Sequence, residues 1–267
     1  MCNQYDMLHP SGPARLNAFC ALAVMAKASR VGYAKTRLVP PLRQDEAATL
    51  NTCFLRDVGS VVAQACTRGG IDAFAAYTPV GAEAAFDGLL PPGFRLLAQR
   101  GADLGERLFH AAEDFFAAGY QSMCLINSDS PTLPPALLRE AVDALRAPGD
   151  RLILGPAEDG GYYLIGLKRA HPRLFEEIAW STASVLASTL DRAREIGLET
   201  KLLPPWYDVD DAISLGWLCR ELFFAKAHGG GTQTGYAAPH TREYLRQLIN
   251  QGEGKRLGLQ LSAGAGI

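Results

Sequence analysis

The 267-residue sequence has no C-x-x-C pair, no H-E-x-x-H and no G-x-S-x-G. It also has neither glycine-rich phosphate loop, G-x-x-x-x-G-K-[ST] or G-x-G-x-x-G. The first two absences remove the common zinc arrangements, and the third leaves Ser128 without a case as a hydrolase nucleophile. The last two exclude a P-loop and a dinucleotide-binding fingerprint. Cysteines are few and dispersed (Cys2, Cys20, Cys53, Cys66, Cys124 and Cys219), which fits small buried thiols in a reducing compartment better than a disulfide framework. A net charge of −2 offers nothing to nucleic acid or to an anionic membrane, and neither is expected as a partner. The apolar run at 19–26 is too short to span a bilayer and no signal-peptide layout precedes it, so a cytoplasmic location is expected.

What is present is an alternation of strand and helix signals. Residues 19–26, 72–77, 94–98, 123–127, 152–154, 162–167 and 199–203 read as strands. Residues 45–64, 104–118, 135–145, 183–196, 211–226 and 241–250 read as helices, with apolar residues three and four apart. This order predicts an α/β fold with a mostly parallel, doubly wound sheet and helices on both faces. Residues 1–17 read as a loose leader and 18–228 as the folded domain. Residues 229–267 read as a Gly-rich hinge (Gly229-Gly230-Gly231), a short helix and a flexible tail.

Several segments place chemistry at strand ends. The run 123–127 stops at Asn127-Ser128-Asp129, and an acid at the carboxyl end of a buried strand lies where open α/β sheets bind ligands. Asp129 is a hard oxygen ligand suited to Mg²⁺ or Mn²⁺ beside phosphates, or else a helix N-cap. The first strand runs into a basic loop in which Lys27, Lys35 and Arg37 could donate to a diphosphate. The small residues Ala26, Ala28 and Gly32 allow close backbone approach there. Between a strand and a helix, Gln99 or Asp103 could meet a base or ribose and Arg107 a phosphate; Asp103 and Glu106 equally form a capping box. The turn 155–163 carries Glu158 and Asp159, candidate general bases, before Gly160, Gly161 and Tyr162. A plain solvated turn is the competing reading. Asp208 and Asp210 alternate along an extended segment and could present two carboxylates to one ion, with Asp210 or Asp211 as an N-cap the competitor. Trp180 could wall an acceptor site, and Ser181 and Thr182 could cap the helix that follows.

Five of these segments occur in a fixed order over residues 18–225. They are Ala26-Lys27-Ala28 with Gly32 and Lys35-Thr36-Arg37-Leu38, then Ser128-Asp129-Ser130-Pro131, then 155–163, Trp180-Ser181-Thr182 and Asp208-Val209-Asp210. Together they resemble a bacterial family of glycosyltransferase-A (GT-A) fold proteins often labelled arsenosugar-biosynthesis glycosyltransferases. Its superfamily also holds nucleotidyltransferases, including 2-phospho-lactate guanylyltransferases. The resemblance implies a Rossmann-like GT-A sheet that binds a nucleotide through the first strand's loop, with Ser128 among the contacts. It also implies a divalent metal (Mg or Mn) held by Asp129 and by Asp210 or Asp208. The activity it implies is metal-dependent transfer of a glycosyl group from a nucleotide-diphospho-sugar to a small-molecule acceptor. In that role Lys35 and Arg37 would neutralise the diphosphate, Glu158 or Asp159 would act on the acceptor, and Gly160, Gly161, Tyr162, Trp180, Ser181 and Thr182 would bind it. The alternatives are nucleotidyl transfer from a nucleoside triphosphate with pyrophosphate release, and nucleotide binding without catalysis. Two departures stand against a full match: Ser130 and Pro131 follow Asp129 where a D-x-D pair would continue, and the basic loop lacks Gly-Gly-x-x-x-Arg-Met.

Overall fold

The computed structural model describes residues 5–9, 18–224 and 234–257. The strands are β1 (Asp6–Met7), β2 (Cys20–Lys27), β3 (Ile71–Thr78), β4 (Arg95–Ala98), β5 (Ser122–Ile126), β6 (Arg151–Pro156), β7 (Tyr162–Leu167) and β8 (Glu199–Leu202). The helices are α1 (Gln44–Cys66), α2 (Leu104–Ala117), α3 (Pro135–Arg146), α4 (Val185–Glu195), α5 (Ala212–Phe224) and α6 (Pro239–Asn250). The eight strands form one sheet in the order β1-β4-β3-β2-β5-β7-β6-β8. Every pairing is parallel except those of β7, which runs against β5 and β6. The fold is therefore the expected mostly parallel α/β sheet, with one reversed strand in its interior.

Both faces of the sheet are covered, as the near-continuous apolar strands require. Along β2, Cys20, Leu22, Val24 and Ala26 face a core built with α1, α3, α5 and α6. Ala21 and Ala23 face a second core built with α2 and α4. That alternation is the two-residue period of a strand buried on both sides.

The chain differs from expectation at its ends. Within the segment read as a loose leader, Asp6 and Met7 add a parallel edge strand against Arg95 and Leu96. Tyr5 is buried there and donates its hydroxyl to the Leu90 carbonyl at 2.8 Å. A two-residue strand carries no periodicity to read, so only the pairing reveals it. The rest of the leader, the Gly229-Gly230-Gly231 hinge and the residues after 257 lie outside the described residues. The helix beyond the hinge docks on its own domain. The buried Asp57 carboxylate of α1 accepts from the backbone N–H groups of His240 (3.1 Å) and Thr241 (2.8 Å), satisfying donors that the first turn of α6 leaves open.

Candidate functional site

Because β3 lies on one side of β2 and β5 on the other, the chain leaves the sheet in opposite directions from two neighbouring strands. The crevice outside their carboxyl ends is the usual ligand position in such a sheet. Three segments fill it: the loop after β2, the turn after β5, and the extended segment before α5.

The loop after β2 brings Lys35 into the crevice with left-handed backbone, φ 50°. That conformation is costly for a residue with a β-carbon and persists only where the surroundings fix it. They do so through the ammonium group. Lys35 Nζ lies 2.7 Å from Asp129 Oδ1 and 2.8 Å from Asp210 Oδ1, and donates to the Val209 carbonyl at 2.8 Å. The side chain is only 6% exposed and its ammonium stands 5.6 Å from the centre of the Phe54 ring. Burial pulls the Lys35 pKa down, but the Asp129 and Asp210 carboxylates outweigh it and hold the amine protonated above its ordinary range. The two acidic segments are also joined directly, the Val209 N–H donating to the Asp129 carbonyl at 2.9 Å.

A second group of carboxylates lies beside the first. Asp159, Asp208 and Asp210 each offer a carboxylate oxygen within 4.8 Å of the others. An all-carboxylate donor set suits Mg²⁺ or Mn²⁺ and does not suit zinc, which takes nitrogen and sulfur more readily. Asp159 is set by its own turn, accepting from the Gly161 N–H at 2.8 Å. Burial pushes the Asp208 carboxyl up to about 7, with Asp159 and Asp210 adding to the effect. The folded protein thus keeps a proton that the unfolded chain releases near pH 4, so Asp208 costs stability progressively as pH rises from about 4 to about 7. Above that range the carboxylate is free for a cation. If the trio holds Mn²⁺, the thermal shift that the ion gives is expected to grow from pH 6 to pH 8; a shift that is flat or falls over that range would remove Asp208 from the candidate ligands.

Two cavities adjoin across these residues. One, of about 310 Å³, is lined by Lys27, Lys35 and Arg37 together with Tyr33, Ala34, Thr36, Asn51, Ser128, Asp129, Ser181 and Asp210. The other, of about 220 Å³, is lined by Asp159, Asp208 and Asp210 together with Leu104, Tyr162, Trp180 and Val185. Arg37, Asp129, Ser181 and Asp210 line both. Neither Lys27 nor Arg37 forms an ion pair with a described carboxylate, whereas Lys35 forms two. Trp180 stands over the start of α2, where a β-carbon on Gly105 would come within 2.4 Å of its indole nitrogen. Ser181 next to it is, like Lys35, left-handed without being glycine (φ 63°).

The structure gathers most of the residues singled out in the sequence and leaves others aside. Gly161, Tyr162, Ser181 and Thr182 line the second cavity with Trp180. Gly160 lines neither; it packs against Ala183. Ala26 and Ala28 are buried below the first cavity, and Gly32 lines a smaller hollow behind the loop. Gln99 turns inward, donating to the Ala76 carbonyl at 2.6 Å. Asp103 caps α2, accepting from the Glu106 N–H at 2.9 Å, while Glu106 accepts from the Ala102 N–H at 2.8 Å. Arg107 is spent on the Gly101 and Ala102 carbonyls. Asp211 caps α5 through the Ser214 N–H at 2.8 Å. Glu158 is exposed and lines neither cavity. The reading of the sequence missed Tyr33, Asn51 and Asn127. Tyr33, an aromatic in a basic loop and 71% exposed, was the one with a visible signal.

A family profile described as an uncharacterized protein conserved in bacteria (DUF2064) matches residues 61–182. A crystal structure from Desulfovibrio desulfuricans G20, of a protein provisionally assigned as a nucleotide-diphospho-sugar transferase, superposes with a TM-score of 0.73. It is 31% identical, over 87% of this chain and 96% of that one. The chain belongs to this bacterial family of GT-A-like nucleotide-diphospho-sugar transferases. Beyond the family, a cytidylyltransferase from Leptospira borgpetersenii is 10% identical over 92% of this chain and 99% of that one, with a TM-score of 0.47. Glucosyl-3-phosphoglycerate synthase from Mycobacterium tuberculosis, solved with Mn²⁺, UDP and glucosyl-3-phosphoglycerate, is 12% identical over 94% and 83%, with a TM-score of 0.45. No curated protein matches the sequence. Among the described residues no helix is long and apolar enough to cross a membrane.

Proposed function

We propose that the protein transfers a glycosyl group from a nucleotide-diphospho-sugar to a small-molecule acceptor, with a divalent cation at the acidic end of the crevice. The observation that supports this reading is the pair of adjoining cavities, one cationic and one acidic with an aromatic wall, meeting at Arg37 and Asp210. In the first, Lys27 and Arg37 form no ion pair with a described carboxylate and are the donors for the diphosphate oxygens. In the second, Trp180, Ser181 and Thr182 receive the acceptor, while Leu104 and Val185 limit its size.

Asp208 and Asp210 would hold the metal, since such ions take one or two carboxylates and complete their shell with phosphate oxygens and water. When bound, the ion supplies positive charge against the leaving nucleoside diphosphate. The acceptor hydroxyl oxygen forms a bond to the anomeric carbon as the bond from that carbon to the β-phosphate oxygen breaks. For an inverting transfer Asp159 takes the hydroxyl proton, because it faces the second cavity and Glu158 does not. Arg37 lines both cavities and so meets the donor where charge develops.

The test is a thermal-shift screen of UDP-, GDP-, dTDP- and CDP-sugars and of the nucleoside triphosphates, each with and without Mn²⁺, followed by assay of the released product. One nucleotide-sugar is expected to raise the melting temperature in a metal-dependent way and to be cleaved slowly to its nucleoside diphosphate and sugar. A ligand binding only the folded state at 100 times its dissociation constant adds about 2.7 kcal/mol, a shift easily read. Pyrophosphate release from a triphosphate would replace glycosyl transfer with nucleotidyl transfer. Binding that ignores Mn²⁺, with no product from any donor, would point to a nucleotide-binding protein without catalysis.

A further inference from the structure

The crevice already contains one cation. Lys35 Nζ is held by three oxygens, Asp129 Oδ1 at 2.7 Å, Asp210 Oδ1 at 2.8 Å and the Val209 carbonyl at 2.8 Å. A divalent ion bridging Asp129 and Asp210 through those Oδ1 atoms would compete with the ammonium group for them. The lysine is fixed there by more than its charge: it is 6% exposed, it stands over the Phe54 ring, and its backbone is held at φ 50°. Moving it out would leave two carboxylates facing each other and an unpaired ammonium to resolvate, a costly exchange in a buried site. Asp210 has a second carboxylate oxygen, and it is also a member of the group with Asp159 and Asp208 whose ligand atoms lie within 4.8 Å of one another. One carboxylate can thus serve two neighbouring cations and screen them from each other. Lys27 and Arg37, which form no ion pair with a described carboxylate, are left to meet anions.

We propose that Lys35 is a standing cation of this site. It fills the Asp129 half, so the protein takes a single divalent ion on the Asp208 and Asp210 side, and Asp129 anchors the lysine without ligating the metal. The crevice is then a hybrid of the two-metal arrangement, in which two ions a few ångströms apart clamp one displacement, with an ammonium group in place of one ion. The proposal rests on the reading above only in taking Asp208 and Asp210 as a metal site.

Counting bound Mn²⁺ by electron paramagnetic resonance, on full-length protein without nucleotide, tests it. Wild type is expected to bind one Mn²⁺ per chain. Asp129→Asn should keep that ion with an affinity within about threefold, because the charge it removes faces the lysine. Lys35→Met should bind a second Mn²⁺, and its melting temperature, lowered without metal, should recover as that ion loads. Lys35→Arg, which keeps the cation, should stay at one ion, a restoration that loss of packing alone would not give. The proposal is overturned if wild type binds no Mn²⁺, if Asp129→Asn loses the ion, or if Lys35→Met stays at one. Should Lys35→Met fail to fold, the Asp129→Asn and Lys35→Arg counts still decide. No donor sugar enters any arm, so failure of the glycosyl-transfer reading would leave these counts standing.

Discussion

Asp210→Asn is expected to lower the rate of nucleoside diphosphate release by about three orders of magnitude, or roughly 4 kcal/mol of transition-state stabilisation. The size follows from how much this one carboxylate does. It pairs with Lys35 at 2.8 Å, belongs to the trio with Asp159 and Asp208, and lines both cavities. The amide is almost isosteric, so packing should survive. The backbone also has its own support, the Asp210 N–H donating to Ser214 Oγ at 3.0 Å. Loss should therefore appear in turnover and in Mn²⁺ affinity, with the far-ultraviolet spectrum unchanged. A variant within tenfold of wild type at saturating Mn²⁺ and donor would show that Asp210 is a structural partner of Lys35 and no more.

Gly160→Ala is expected to be the most damaging single-methyl change near the site. Gly160 has φ +89°, a region in which a β-carbon is strained, and that carbon would lie 2.2 Å from the Ala183 carbonyl oxygen. Backbone strain of one to three kcal/mol adds to an overpacking cost of similar size, so a loss of about 2–5 kcal/mol is expected. At about 2–4 °C per kcal/mol for a chain of this size, the melting temperature should fall by some 5–15 °C. The clash has a functional side as well. The Gly160 carbonyl accepts from the Leu186 N–H at 2.9 Å, so the turn carrying Asp159 is clipped to the start of α4. Forcing the two apart should weaken acceptor use even below the melting transition. A variant with wild-type melting temperature would show that the 180–186 segment yields freely, and that its hydrogen bond to Gly160 does not fix the turn carrying Asp159.

Most elements of the fold were legible in the sequence because each long strand is buried on both faces and each helix has a clear apolar stripe. The starts and ends differ from expectation by a residue or two. The reversed direction of β7 was not legible: nothing local in 162–167 encodes which way a strand runs, and only pairing with β5 and β6 sets it. The acids at strand ends were legible as a class, since an apolar run that stops at a carboxylate marks the rim of the sheet. Their pairing was not. Lys35 meets Asp129 and Asp210 across 94 and 175 positions of sequence, and their proximity depends on β2 lying beside β5 and on the path before α5. The capping roles of Asp103 and Asp211 are formed because the helix start nearby offers N–H groups to a short side-chain acceptor. Asp159 separated from Glu158 only when the Gly161 N–H fixed its direction.

The layout of the two cavities bears on how such a protein can change over generations. The cationic cavity draws on 27–37 and 128–129, and the acidic one on 159–162 and 180–185, with only Arg37, Asp129, Ser181 and Asp210 held in common. Mutations at Leu104, Thr182 or Val185 can reshape one compartment without disturbing the other, whereas those at the four shared positions alter both at once. Lineages that descend from one ancestor should therefore drift fastest at Leu104, Thr182 and Val185 while the lysine and its two acids stay put. New preferences for the smaller partner can arise there by ordinary substitution, on an inherited chassis that needs no redesign.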